Sequence, residues 1–277
     1  MTPPSLFCFG LGYVASHLSA ALQGHMDVAG THRQGPLTFD GTFNPDLRPH
    51  IHKATHILIS IPPNPEGDLV LAHYREALVQ AQPVWIGYLS STSVYGDHQG
   101  EWVNERADCH PTTPPGLLRL KAEQQWLNFQ QETGLPIHIF RLAGIYGPGR
   151  SLFDDLKAGT ARHVVKPGHV FSRIHVADIV QTLLASIAAP APGEIYNVSD
   201  NLPTTSADAL AYACQISGLP LPPPVPFEEA PLSQMGRWFY QDCKRSCNRK
   251  IKKKLGIVLR YPTYKEGLAA VWECEGL

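Results

Sequence analysis

Leu6, Phe7, Cys8 and Phe9 form an unbroken apolar run, the pattern of a short strand buried on both faces. The run breaks at Gly10-Leu11-Gly12-Tyr13-Val14-Ala15, after which Val14, Leu18, Ala21 and Leu22 recur at helical spacing. From there the pattern alternates. Strands are predicted over residues 25–30, 36–40, 55–61 (THILISI, stopped by Pro62-Pro63), 84–89 (VWIGYL) and 137–142 (IHIFRL). Helices are predicted over 68–82, where Leu69, Ala72, Ala77, Leu78 and Ala81 recur, and over 117–132. Beyond Gly149 the texture changes: helices over 153–158, 179–188 and 206–217, a strand over 194–198, and helical patches toward the end. Prolines at 220, 222, 223, 224 and 226 are expected to exclude a regular element and to make an ordered crossover or hinge.

Strands alternating with helices imply an α/β protein: a Rossmann-type, doubly wound parallel sheet with a smaller C-terminal α/β lobe. Residues 1–150 are expected to form the dinucleotide-binding domain, and residues 151–277 the smaller substrate lobe, partly interleaved with the first. In such sheets ligands sit at the carboxyl ends of the strands. Gly10, Gly12, Arg33, Ile61, Pro62, Ser91 and Ala143 then fall on one rim.

A strand, a glycine turn and a helix in that order make the dinucleotide fingerprint G-x-G-x-x-G/A. Gly10 allows the tight turn, Gly12 lets backbone approach a pyrophosphate, and Ala15 keeps the helix close to the sheet. The helix N-terminus offers N–H groups and a positive dipole end to phosphate. The second strand ends in Thr31-His32-Arg33 with no acidic residue to accept from a ribose 2′-hydroxyl, so Arg33 favours the 2′-phosphate of NADP, with NAD as the alternative. The expected cofactor contacts are Gly10, Leu11, Gly12, Tyr13, Val14, Thr31, His32, Arg33, Asp40, Ile61, Pro62 and Ala143.

Composition narrows the partners. With 23 Lys and Arg against 24 Asp and Glu, the whole molecule presents no net field for a polyanion or an acidic membrane. The one basic run, KRSCNRKIKKK over 244–254, lacks the aromatics and surrounding positive domain of a nucleic-acid surface. Six scattered cysteines with no C-x-x-C spacing fit a reducing compartment, and Cys243 and Cys247 lack the further His or Cys of a zinc set, so no metal is expected. No apolar run is long enough to span a membrane, and the residues before the first strand lack a basic n-region with a cleavage site; a cytoplasmic protein is expected.

Several segments resemble the extended short-chain dehydrogenase/reductase superfamily, the NAD(P)-dependent epimerase/dehydratase group. They are the loop at Gly10, the Ser90-Ser91-Thr92-Ser93-Val94-Tyr95-Gly96 run and RLAGIYGPG over 141–149. Arg173-Ile174-His175-Val176-Ala177-Asp178 and Ile195-Tyr196-Asn197-Val198 complete the set. The resemblance implies an oxidoreductase or epimerase acting on a small carbonyl or sugar-like substrate, and a homodimer paired through the helices over 68–82 and 117–132. In that group a Ser or Thr, a Tyr and a Lys four residues later carry the chemistry, the cation lowering the pKa of the phenol. Ser91 matches the hydroxyl position, followed by Thr92 and Ser93 where dehydratases carry acids. The pattern Y-G-x-S-K-x-x-A-E reads here Pro115-Gly116-Leu117-Leu118-Arg119-Leu120-Lys121-Ala122-Glu123, so Pro115 replaces the tyrosine and Arg119 the lysine; Lys121 fits only with a shifted register. Ser91 and Arg119 are thus the catalytic candidates. Thr92, Ser93, Tyr95, Tyr146 and Arg173 are the substrate candidates, with both tyrosines also readable as structural and Arg173 as a solvated arginine. His175 reads as structural. The missing Tyr–Lys pair leaves a second reading open, a redox-inactive NADP-binding sensor or regulatory protein.

Overall fold

The computed structural model describes residues 4–35 and 37–275. It divides into two compact units between which the chain passes several times. One comprises residues 1–94, 114–141 and 180–196; the other 95–113, 142–179 and 197–277.

The first unit is built on a six-stranded parallel sheet with the order Ile195–Val198, Ile137–Leu142, Trp85–Ser91, His56–Ile59, Ser5–Phe9, Asp27–Gly30. Leu6, Phe7, Cys8 and Phe9 pair with Val28, Ala29 and Gly30 on one side and with His56, Ile57, Leu58 and Ile59 on the other. This central strand is therefore buried on both faces, as its unbroken apolar run requires. Strand order reverses beside it, between Ser5–Phe9 and His56–Ile59, and in doubly wound sheets that reversal opens the ligand crevice. One face of the core joins Phe7, Phe9, Ile57, Ile59, Ile86 and Tyr88 of the strands to Tyr74 and Leu78 of the helix Leu69–Ala81. Trp126 and Phe129 of the helix Pro114–Thr133 complete it.

One expectation fails in this unit, and one element was not foreseen. Residues 37–40 add no strand to the sheet: Thr38 makes one bridge to His32, while the Asp40 carboxylate turns the chain by accepting from Thr42 N at 2.9 Å. The segment offers only Leu37 and Phe39 to an apolar face, too little to hold an edge strand; Pro36 lies outside the described residues. The sequence also gives no warning of the short helix Arg48–Lys53 with the 3₁₀ turn Pro45–Leu47 before it. Its whole apolar face is Leu47 and Ile51, both fully buried, and two residues one turn apart are too few to show a period.

The second unit carries three two-stranded parallel ladders. Gly144–Tyr146 pairs with Arg173–His175, Trp102–Val103 with Arg245–Ser246, and His163–Val165 with Pro224–Pro226. The last of these corrects the proline expectation. In a two-stranded ladder a proline nitrogen can face outward, and the alternation Pro-Val-Pro leaves Val225 as the residue between them. Tyr146, Phe153, Ala209, Ala213, Tyr264, Leu268 and Val271 make the core that joins the helices Leu152–Lys157, Ser206–Ser217 and Tyr264–Glu275.

Candidate functional site

In the first unit the glycine loop is held from both sides. Gly10 N donates to Thr31 Oγ1 at 2.9 Å and Leu11 N to Thr31 O at 2.8 Å, and Thr31 is buried under these bonds. Gly10 has φ +90°, a conformation that side chains disfavour, and a Cβ there would lie 2.7 Å from Ile61 Cγ2. Ser60 Oγ donates to Gly10 O. Gly12 differs in every respect. Its backbone is extended, at φ −85° and ψ −165°, no side chain caps the helix Tyr13–Leu22 that it opens, and a Cβ would meet nothing within 4 Å. Space left empty at the N-terminus of a ten-residue helix is what an anionic group needs. Val14 and Ala15 are buried, so the helix packs against the sheet where the fingerprint demands a small residue. The residues therefore fit a pyrophosphate between Gly10 and the first helical turn.

The other rim residues are placed as follows. His32 and Arg33 are exposed just past the second strand, Asp40 is exposed with its carboxylate turned to Thr42, and Pro62 is exposed. Hydrogen bonds from the Thr42 hydroxyl and N–H hold the Asp40 carboxyl below its ordinary range. Arg119 reaches back over the rim: Nη1 donates to Leu89 O at 2.9 Å, to Tyr88 Oη at 3.1 Å and to Ile61 O at 3.4 Å. It thus joins the carboxyl ends of two neighbouring strands, and Gly10, Leu11, Thr31, Ile61 and Arg119 form one connected set. Burial pushes the Tyr88 phenol well up, so it stays neutral beneath the guanidinium. Ser91 ends its strand half-buried; Ser91 Oγ accepts from Ser93 N at 3.1 Å, capping the 3₁₀ turn Thr92–Tyr95.

A buried network that the residue patterns did not disclose lies beneath. Arg141 Nε and Nη2 donate to the Glu123 carboxylate, at 3.1 and 2.7 Å, and Ser90 Oγ donates to Glu123 Oε1 at 2.5 Å. Both ionic side chains are at most 5% exposed.

In the second unit Tyr95 is fully buried and its hydroxyl donates to Asn197 Oδ1 at 2.6 Å. Ala143 is buried, its N–H on Val198 O at 3.0 Å. Tyr146 is buried against His175, ring centroids 5.3 Å apart, and burial with nearby Asp200 and Asp178 drives its phenol far up. Arg173 is not solvated: its guanidinium donates to Thr204 O at 3.0 Å, Phe171 O at 3.2 Å and Thr205 O at 3.4 Å. Asp200, 1% exposed, is pushed up to about 7 by burial. Lys244 Nζ lies 3.6 Å from Asp242 Oδ2, with only 12% of the lysine side chain exposed. That lysine stands inside the basic run, where charge density alone hid it; its signal was the acid two residues earlier.

Among the described residues no group of three or more His, Cys, Asp or Glu could hold a metal ion, and no helix is long and apolar enough to cross a membrane.

Comparison with known proteins gives the following. Residues 75–199 match the NAD dependent epimerase/dehydratase family. Protein YeeZ of Escherichia coli (strain K12) is 33% identical over 178 residues, 63% of this chain and 58% of that protein, so the chain spans under two thirds of its curated relative's length. The structure of a functionally unknown conserved protein from Silicibacter pomeroyi DSS is 46% identical, with a TM-score of 0.90 over 98% of this chain and 99% of that one. The dTDP-glucose 4,6-dehydratase of Bacillus anthracis str. Ames, in complex with NAD, shares the fold at a TM-score of 0.80 and 15% identity over 98% and 97% of the two chains.

Proposed function

We propose, for a chain that belongs to the NAD dependent epimerase/dehydratase family, dinucleotide-dependent chemistry on the carbonyl or hydroxyl carbon of a small sugar-like substrate. The observation that carries this reading is the pair of unlike glycines: Gly10 locked at φ +90° against Ile61, and Gly12 open at the head of a helix with no side-chain cap. When bound, a nicotinamide supplies or takes up a hydride. The residues that would hold the dinucleotide are Gly10, Leu11, Gly12, Tyr13 and Val14 at the pyrophosphate, with Thr31, His32, Arg33 and Asp40 toward the ribose and adenine, and Ile61 and Pro62 further along. The fold is that of a dTDP-glucose dehydratase carrying NAD, and a sugar nucleotide is the substrate class this likeness suggests.

Arg33, exposed beyond the second strand with no acid beside it in sequence, supports NADP over NAD. Fluorescence titration of wild type and Arg33→Ala with NADPH and NADH tests this. A lost charge-assisted contact should weaken NADPH by about 1.5–3 kcal/mol and leave NADH alone. Equal affinities in the wild type would overturn it.

A redox-inactive NADP-binding sensor is the second reading, supported by Pro115 in place of a tyrosine and by Arg119 Nη1 spent on Ile61 O, Tyr88 Oη and Leu89 O. A homodimer through the helices Leu69–Ala81 and Pro114–Thr133 fits either reading; their outer faces share a groove lined by His73, Arg75, Gln125, Asn128 and Glu132. Light scattering should give twice the 30.5 kDa of the chain, and a particle of chain mass at high concentration would refute the dimer.

A further inference from the structure

The near-zero sum of charges conceals an uneven distribution. Between Asp242 and Glu266 stand nine Lys and Arg and no acid, which leaves 14 Lys and Arg for the rest of the chain against all 24 Asp and Glu. Both bounding acids are engaged locally: Asp242 Oδ1 accepts from Thr112 Oγ1 at 2.8 Å, and Glu266 Oε2 from Thr263 N at 2.9 Å. At the centre of the segment lies the helix Arg249–Leu255. Ile251, fully buried, and Leu255, half-buried, are four apart and fix its inward side. Arg249 and Lys253, also four apart, stand on the opposite side, and both are exposed, as is Lys254. Among the described residues none of Arg249, Lys252, Lys253 and Lys254 pairs with a carboxylate. Arg249 Nε donates to Cys247 Sγ at 3.3 Å, and Lys252 Nζ to Asn201 Oδ1. Lysines in the last turn suit the negative end of the helix dipole, but Arg249 and Lys250 open the helix, where that dipole opposes a cation and the first turn holds no acid. Helix stability does not account for that placement.

Next to these charges the chain presents aliphatic side chains. Gly256, at φ +66°, ends the helix with its N–H on Ile251 O, and Asp178 fixes the chain further on by accepting from Arg260 N at 2.7 Å and Tyr261 N at 3.1 Å. Between these anchors Ile257 and Leu259 are buried, so the alternation turns Val258 outward, 83% exposed, more than any other large apolar residue described. Leu202, 41% exposed, follows Asn201, the residue that Lys252 reaches. Cations around a fixed aliphatic projection complement an anionic bilayer, where the charges meet headgroups and the side chain meets the acyl boundary. A single-stranded nucleic acid calls for stacking aromatics instead, and the aromatic nearest Val258 along the chain, Tyr261, packs on His175 with ring centroids 4.1 Å apart.

We propose that the segment Arg249–Arg260 is a peripheral docking surface for an anionic lipid bilayer, held there by the cations of its helix and by Val258. The helix lies on the bilayer and spans nothing. The surface belongs to the second unit alone, and the inference stands with or without the dinucleotide-dependent reading.

The full-length chain is sedimented with vesicles of phosphatidylcholine alone and of phosphatidylcholine mixed with phosphatidylglycerol. Binding to the mixed vesicles only is expected, and about 0.5 M salt should abolish it, because the Debye length there falls well below 10 Å. Each cation at a charged bilayer contributes a factor of about five, so the double variant Lys253→Gln, Lys254→Gln should weaken partition roughly 25-fold. Arg249→Gln, at the other end of the helix, should cost about fivefold on the same ground. Val258→Ser should weaken partition severalfold and leave its salt dependence as in wild type. These four positions are exposed, so the variants should melt with wild type. Wild type that stays in the supernatant with mixed vesicles at low salt would overturn the proposal, and so would a double variant that binds as well as wild type. Duplex DNA is added as the competing polyanion. DNA that displaces the vesicles, together with Val258→Ser binding them like wild type, would overturn the bilayer and leave a surface for soluble polyanions.

Discussion

Gly12→Ala separates folding from ligand binding, because the two glycines of the loop are glycine for different reasons. At Gly12 the backbone is in a region any residue adopts, and a Cβ would find nothing within 4 Å. The folded state therefore has room for the methyl group. Alanine is a poorer helix N-cap than glycine by a few tenths to about 1 kcal/mol. Against this, a less flexible unfolded chain returns about 0.4–1 kcal/mol. Net stability should stay within about 1 kcal/mol of wild type. The methyl group instead fills the space through which a pyrophosphate would reach the helix N-terminus. Losing one charge-assisted hydrogen bond there costs about 1.5–3 kcal/mol, or roughly 10- to 150-fold in affinity. Gly10→Ala is the contrast: at φ +90°, with its Cβ 2.7 Å from Ile61 Cγ2, it should lower the melting temperature by several degrees. Thermal melts paired with NADPH titration read both quantities on the same samples. A Gly12→Ala protein that folds normally and binds NADPH as tightly as wild type would refute the placement of the phosphate.

Glu123→Gln should cost about 3–5 kcal/mol in urea unfolding, because it strands the Arg141 charge in a buried site; a double Glu123→Gln, Arg141→Met variant should recover much of that, and equal loss in both would refute the argument. Asp200, raised from 3.8 to about 7, binds its proton more tightly in the folded than in the unfolded chain, so its contribution makes stability fall as pH rises from about 4 to about 7 and then level off. Asp200→Asn should flatten that slope and gain on wild type at pH 8, by up to about 4 kcal/mol; identical pH profiles of the two proteins in denaturant melts would count against the assignment.

The central strand, the glycine loop and the alternation that follows are legible in the sequence because each is a dense local signal: a four-residue apolar run, two glycines at fixed spacing, a change of period. What escapes is what depends on few residues or on distant partners. Leu47 and Ile51 are an entire helix face, and Pro224–Pro226 is a strand only because His163–Val165 lies beside it. Leu37 and Phe39 err the other way, alternating like a strand where the described residues make one bridge, Thr38 to His32, and no ladder. Among the site residues, Arg173 reads from sequence as a substrate clamp or a solvated arginine, and what sequence does not show is that Thr204 O, Phe171 O and Thr205 O accept from its guanidinium.

The register of the long helix is a property of the fold and not of how the residues are aligned. Pro115, Arg119 and Glu123 are spaced four apart and so share one helix face. Glu123 is the anchor: Ser90 and Arg141 hold both of its oxygens, and a shift of one residue would rotate it about 100° off that buried partner. Lys121, the other cation near the lysine position, points elsewhere, its Nζ donating to Pro65 O at 2.8 Å. With the register fixed, Pro115 opens the helix and Arg119 follows one turn on, with its guanidinium on Leu89 O. Two prolines at the start suit a first helical turn, where their missing N–H groups have no intrahelical partner anyway. A guanidinium binds and braces through its planar N–H donors and is not a proton donor in general acid catalysis. The contacts of Arg119 with Ile61 O and Leu89 O show the bracing. On the proposed dinucleotide-dependent reading, this helix braces the rim through Arg119 and offers no phenol or amine at positions 115 and 119, so the proton donor is expected on another element.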